Sequence, residues 1–284
     1  MTRRSILWMT ALSALIDERL VKGDIDLPIF PQSVSEVMSL CARDDVDMRA
    51  IAAAIHKDPT LAAHMIRIAN SPLVAPKVPI TTLQQALARL GTSQITQIAL
   101  VVVCRTRAFD VKGRAAAAHK MLRHAVATAA YAKEIARLCD RQPEEAFLCG
   151  LMHDIGEPAL LQLASDLAQK HGQKLDDATA TSELERLHQR VGGMIARSWK
   201  MSPLVVTTAE GHHRKSKGTS DEADMVAVVQ LADALADALL RREELPPSNV
   251  EALPAARSLR LDVEKAETLA ARREVVEATV EAIA

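Results

Sequence analysis

Runs of β-branched residues with period-two alternation are nearly absent from this chain, and nothing else in it constrains the fold so tightly. A half-buried strand needs that alternation, because successive side chains point to opposite faces of a sheet. Alanine and leucine dominate instead, and both lose little side-chain freedom in a helix. Apolar residues make up 49% of the 284 positions and aromatics only 2%, so the chain is globular and long enough to bury a real core without large rings. An all-α fold is the expectation.

Punctuation divides the chain. Residues 1–26 read as an N-terminal helix, 27–110 as a subdomain of short helices, 115–241 as a bundle of longer ones, and 242–284 as a helical extension. The start, Met1-Thr2-Arg3-Arg4 with an apolar run to Ile16, mimics a signal peptide, but Asp17-Glu18-Arg19 follows at once. An amphipathic helix is the expected reading. Leu27-Pro28-Ile29-Phe30-Pro31 should be extended, since proline disfavours the α conformation in its predecessor. Asp47 and Asp58-Pro59 should open helices, Asn70-Ser71-Pro72 should turn, and a helix from Thr81-Thr82 should end at Gly91. Ile95 to Cys104 is apolar nearly all round and should be central. In the second zone, helices are expected over 116–139, from Pro143 to His153-Asp154, from a Ser182-x-x-Glu185 capping box through His188, from Ser202-Pro203 to His212-His213, and over Met225 to Leu240. Leu245-Pro246-Pro247-Ser248 should break the chain before one polar helix from about Val263. Gly192-Gly193 falls inside a helical pattern and reads as close helix packing. The linker near Gly113 is short, so both zones should pack as one rigid unit.

The formal charge of −1 argues against a broad basic face, so neither nucleic acid nor a membrane surface is expected as a partner. No stretch beyond the N-terminal run looks long enough to span a bilayer. The four cysteines, at 41, 104, 139 and 149, form no CxxC and read as reduced thiols of a cytoplasmic protein.

Chemistry concentrates in Leu151-Met152-His153-Asp154-Ile155-Gly156. An imidazole beside a carboxylate at the end of an apolar helix supplies two adjacent metal ligands. His124, His188, His212, His213 and Asp233 lie at intervals that could complete a site drawn from facing helices. Nitrogen and carboxylate ligands suit iron, manganese, magnesium or zinc, as one ion or two. Two ions about 3.5–4 Å apart would make phosphoester hydrolysis chemically sensible. Each residue also has an ordinary reading. His124 could be a satisfied core histidine, His188 a solvated residue in Arg186-Leu187-His188-Gln189-Arg190, and His212-His213 a helix terminus. One of Asp233 and Asp237 could simply face water. Arg214 and Lys215 form a basic patch that reads as a phosphate contact or a solvated loop.

The order His124, His153-Asp154, Asp233 resembles the HD superfamily of metal-dependent phosphohydrolases, and the added His188 and His212-His213 are similar to its HD-GYP branch, which hydrolyses cyclic di-GMP. The first zone resembles the HDOD domain. It does so through Leu27-Pro28 with Pro31, Asp58-Pro59-x-Leu61, Ala69-Asn70-Ser71-Pro72 and Ala86-x-x-x-Leu90-Gly91. Gly150 to Gly156, His188-x-x-x-Gly192, Trp199 and Pro203 extend that resemblance over about 25–240. It implies an HD-domain-like helical bundle with an HDOD-specific N-terminal helical subdomain. It also implies a bacterial regulatory module, expected to act through signalling protein partners; a further reading is a sensor in which a bound nucleotide or metal shifts helix packing and so alters partner affinity. The alternative is a metal-dependent phosphohydrolase acting on a cyclic dinucleotide or other phosphoester. Two departures bear on that alternative. No Gly-Tyr-Pro follows His212-His213, and Glu157 stands where many HD hydrolases place a phosphate-binding lysine. No catalytic residue is assigned.

Overall fold

The computed structural model describes residues 3–214 and 220–284, and every regular element among them is helical. The first zone holds α1 (Arg3–Lys22), α2 (Gln32–Cys41), α3 (Met48–His56), α4 (Pro59–Ala69) and α5 (Leu83–Val103), with a π-helical turn at Cys104–Ala108. The bundle holds α6 (Ala115–Leu138), α7 (Pro143–Met152), α8 (Gly156–Lys170), α9 (Asp177–Ser198), α10 (Pro203–Gly211) and α11 (Asp221–Leu240). The extension holds α12 (Pro247–Ala252), α13 (Pro254–Ser258), α14 (Val263–Ala271) and α15 (Arg273–Ile283).

Side-chain caps set most of these boundaries. The Asp47 carboxylate accepts from Arg49 N at 2.8 Å, and that of Asp58 accepts from Leu61 N at 3.0 Å with Pro59 in the first turn. Thr82 and Gln85 form a reciprocal capping box. At Asn70 the side chain accepts from Ile80 N at 2.8 Å and donates to Ile80 O at 2.8 Å, closing the loop that follows α4. Asn70-Ser71-Pro72 is thus a side-chain-clamped turn.

Gly91 interrupts α5 with φ 73° and ψ 166°, a conformation that suits glycine, and the helix resumes at once on a new axis. The segment beyond the bend, Ile95 to Cys104, is almost wholly buried. By length and hydropathy Leu83–Ala108 is a candidate membrane span, contrary to the sequence expectation, and 56% of its most apolar window is buried inside the protein.

Two other expectations need correction. Ser182 lies inside α9 and does not cap it. Asp176 is the N-cap, accepting from Thr179 N at 2.8 Å, because the buried stripe of α9 already begins at Thr179 and Ala180 and the helix must start before them. The single C-terminal helix is two, α14 and α15, meeting at Arg272, with Pro247 and Pro254 starting two short helices ahead of them.

Buried apolar side chains from Leu12 to Ile283 form one continuous core. Within it α6 lies along α7 and α11, while α9 packs on α8 and α10. Glycines let these pairs approach. A Cβ built on Gly150 would meet Ala129 Cα at 2.8 Å, and one on Gly193 would meet the Glu210 side chain at 2.3 Å. The cysteines are free thiols, and burial pushes Cys104 and Cys149 up to about 12.

Candidate metal centre

The close α6–α7, α6–α11 and α9–α10 packing brings side chains from distant segments to one point. His124 comes from the middle of α6, His153 caps the C-terminal end of α7, and Asp154 follows it. His188 comes from α9, His212 from the C-cap of α10, and Asp233 from α11. His153, His188 and His212 are buried, with relative exposures of 0%, 3% and 1%. The solvated reading of His188 is therefore wrong. Leu184, Leu187 and Val191 carry the buried stripe of α9 past it.

Three imidazoles are oriented in the same way. His153 Nδ1 donates to Gly150 O at 2.7 Å, His188 Nδ1 to Leu184 O at 2.7 Å, and His212 Nδ1 to Thr208 O at 3.2 Å. A carbonyl only accepts, so each ring carries a proton on Nδ1 and turns Nε2 inward. Backbone orientation of this kind is what metal-binding histidines use. The inward nitrogens converge on Asp154. His153 Nε2 is 3.1 Å from Oδ2, while His188 Nε2 and His212 Nε2 are 3.5 Å and 3.1 Å from Oδ1. The last two nitrogens are 3.3 Å apart.

Lone pairs facing one another at these distances repel unless something positive lies between them. His153 Nε2 and Asp154 Oδ1 are buried with no hydrogen-bond partner. The donor set fits a divalent cation, and it does so twice. Asp154, His188, His212 and His213 form one group, and His124, His153 and Asp154 another. Asp154 belongs to both, one oxygen facing each. Asp233 extends the second group, with Oδ1 2.9 Å from His124 Nε2 and 3.9 Å from His153 Nε2. His213 sits at the rim, exposed, its ring 4.2 Å from that of His212.

The electrostatics agree. Burial opposes charge on His153, yet Asp154 and Asp233 outweigh it and push its pKa up to about 9. Burial would raise Asp154, but the facing His153 and His212 hold it well below the usual carboxylate range. Burial lowers His188 and His213, with His212 adding to the effect, so both are neutral donors. A field that keeps a proton on His153 favours any cation at that spot.

Reading the residues singly left two acids outside the expected site. Asp237 is half-exposed, but its Oδ1 lies 3.4 Å from His124 Nδ1, so it does not merely face water. Its position one turn after Asp233 was the available signal. Glu157, in the first turn of α8, is pushed up to about 8 by burial and by Asp154, with Asp233 and Asp237 adding. A carboxyl raised in the fold contributes stability below about 4.5 that is lost as pH rises through about 8. With metal removed by chelation, Glu157→Gln should therefore raise the thermal midpoint by several degrees at pH 9 and leave it unchanged at pH 4.5; calorimetry at both values checks this. Of the basic patch, Arg214 is exposed and lies beside Glu210, and Lys215 falls outside the described residues.

Comparison with known proteins yields a family match to the HDOD domain over residues 27–215. A protein of uncharacterised function from Treponema pallidum is 21% identical over 79% of this chain and 44% of its own length. Ribonuclease Y of Bacillus subtilis is 35% identical over 34% of this chain and 17% of its own. The chain thus spans less than half of the curated relatives it matches. Among solved structures, an HDOD domain protein of unknown function from Geobacter sulfurreducens has a TM-score of 0.68 at 22% identity, covering 94% of this chain and 98% of that one. A chain from Shewanella amazonensis with a provisional phosphohydrolase assignment has a TM-score of 0.67 at 21% identity, covering 94% and 97%. Both share the fold.

Proposed function

Since the chain belongs to the HDOD family, we propose that it is a signal-transduction module that acts by binding a partner protein and retains a centre for two divalent ions, iron, manganese, magnesium or zinc. Glu157 carries the choice of regulation over hydrolysis. A phosphate ester bound at the centre would have to lie near this half-buried carboxyl, which stays protonated up to about pH 8 and offers no positive charge, beside the carboxylates of Asp154, Asp233 and Asp237. Those three acids favour cations and repel a dianion. The first zone supplies the contact surface: Ile29 and Val78 are 81% and 74% exposed, each in a loop before a helix of that zone. Replacing both with aspartate should abolish capture of the signalling partner by the full chain, while His153→Ala should leave capture intact. Partner loss caused only by metal-ligand substitutions would count against this reading.

A second reading, a phosphohydrolase, is favoured by the sharing of Asp154 between two ligand groups. Bound ions would supply positive charge for a phosphate. His124, His153, Asp154 and Asp233 would hold one ion, and His188, His212 and His213 the other. Elemental analysis of protein purified without chelator is expected to find about two ions per chain, falling in His153→Ala. A nucleotide and cyclic-dinucleotide panel then separates the readings, and turnover that His153→Ala abolishes would favour the enzyme.

A further inference from the structure

Away from the metal centre, α6 and α11 meet the C-terminal extension around a cavity of about 390 Å3. Ligand sites of small molecules begin at about 300 Å3 and combine apolar walls with a few converging polar groups. This one has both. Leu235, Leu245, Val250 and Leu269 supply apolar walls, and Tyr131 and Arg273 stand among them. Tyr131 belongs to α6 and is 3% exposed. Arg273, half-buried at the start of α15, donates to Glu243 O at 2.7 Å, which fixes the guanidinium and leaves it further donors. No acid pairs with Arg273 among the described ion pairs. Burial pushes the Tyr131 phenol up, the charge of Arg273 opposes it and that of Glu277 adds to it, so the phenol and the guanidinium feel one another with an acid close by. Glu244 lines the cavity but is exposed, where solvent screens it.

We propose that this cavity is a binding site for a small monocarboxylate with an apolar body, its carboxylate held by Arg273 and Tyr131 and its body among Leu235, Leu245, Val250 and Leu269. A guanidinium matches the planar carboxylate with two parallel hydrogen bonds. A single cation beside an acidic rim favours a monoanion over a phosphate dianion. The cavity also touches the centre's own scaffold. Tyr131 lies about two turns beyond His124 on α6, and Leu235 follows Asp233 closely on α11. Ligand binding itself does not depend on the metal reading; only an effect on the centre rests on it.

The test is calorimetric titration of the full chain with 4-methylpentanoate and 3-phenylpropanoate, and with their primary amides. The acids should bind, and the amides should bind ~10-fold more weakly, the loss expected for one charged hydrogen-bonded contact. Arg273→Met should cost the acids the same ~10-fold and leave the amides unchanged. Ala270→Leu, at a half-open wall, should weaken both by filling space; circular dichroism verifies that each variant is folded. Acids and amides of equal affinity, no acid binding at millimolar concentration, or binding indifferent to both substitutions would overturn the site. Acid binding should also shift the Mn2+ affinity of the wild-type chain; an unchanged Mn2+ affinity alongside acid binding overturns the link to the centre and leaves the ligand site standing.

Discussion

Asp154→Asn is expected to remove both of the divalent ions proposed for the centre in a single step. Each oxygen of this carboxylate faces a different ligand group, Oδ2 toward His124 and His153 and Oδ1 toward His188 and His212. Asparagine keeps the shape but loses the charge, and it turns an NH2 donor toward at least one group of imidazole nitrogens. Removal of groups that merely orient ligands already costs 10–100-fold in metal affinity, so loss of a shared ligand should cost ~100-fold or more at both positions. The contrast with neighbouring substitutions makes the result specific. Asp233→Asn should weaken the ion at His124 and His153 and spare the other, because Asp233 approaches only the first pair. His213→Ala should act least, since that ring is at the exposed rim. Metal per chain by elemental analysis, on proteins with matching circular dichroism, reads all three. Two ions retained in Asp154→Asn would overturn the shared-carboxylate assignment.

The same centre shows how far residue patterns reach. His153-Asp154 and Asp233 were legible because acid and imidazole sit inside apolar helical stretches, where a polar side chain needs a partner. His188 was ambiguous because its immediate neighbours are charged. Burial follows from helix spacing, and Leu184, Leu187 and Val191 put its face inward while Arg186 and Gln189 turn elsewhere. The misplaced start of α9 has a related cause. Ser182-x-x-Glu185 fits a capping pattern that says nothing of where the helix's buried stripe begins. The identity of Glu157 was legible, but not that burial and its acidic neighbours keep it protonated up to about pH 8, so that it withholds a positive charge from an anionic substrate and does not repel it. Its crowding by Asp233 and Asp237 was not legible either, because α11 lies far away in sequence. The break at Gly91 was also legible, as was a central helix from Ile95; that the two segments join with no loop between them was not, and it depends on the apolar segment finding its place in the core. Local signals thus mark ends and partners. The tertiary approach of helices decides which partner is met.

That approach is tightest at Gly156, and Gly156→Ala should be among the most damaging single-methyl changes in the chain. A Cβ there would lie 2.0 Å from His188 O, 2.6 Å from Gly192 N and 2.9 Å from His188 C. All three are backbone atoms of α9, so no side chain can swing aside and the helices must separate. Overpacking usually costs 1–3 kcal/mol when side chains can adjust, so a clash with backbone should cost ~3 kcal/mol or more. For a chain of this size that lowers the thermal midpoint by about 6–12 °C. The displaced backbone carries His188, so binding of the ion proposed for Asp154, His188 and His212 should weaken in the molecules that remain folded. Gly193→Ala is the matched control. The three atoms nearest its new Cβ all belong to the side chain of Glu210, which is partly exposed and can rotate away at the cost of its pairing with Arg197. An exposed ion pair contributes at most about 1 kcal/mol. Thermal unfolding of the two variants should therefore differ by several degrees, with Gly156→Ala the lower. Equal midpoints would mean that α8 and α9 do not approach as closely as the centre requires.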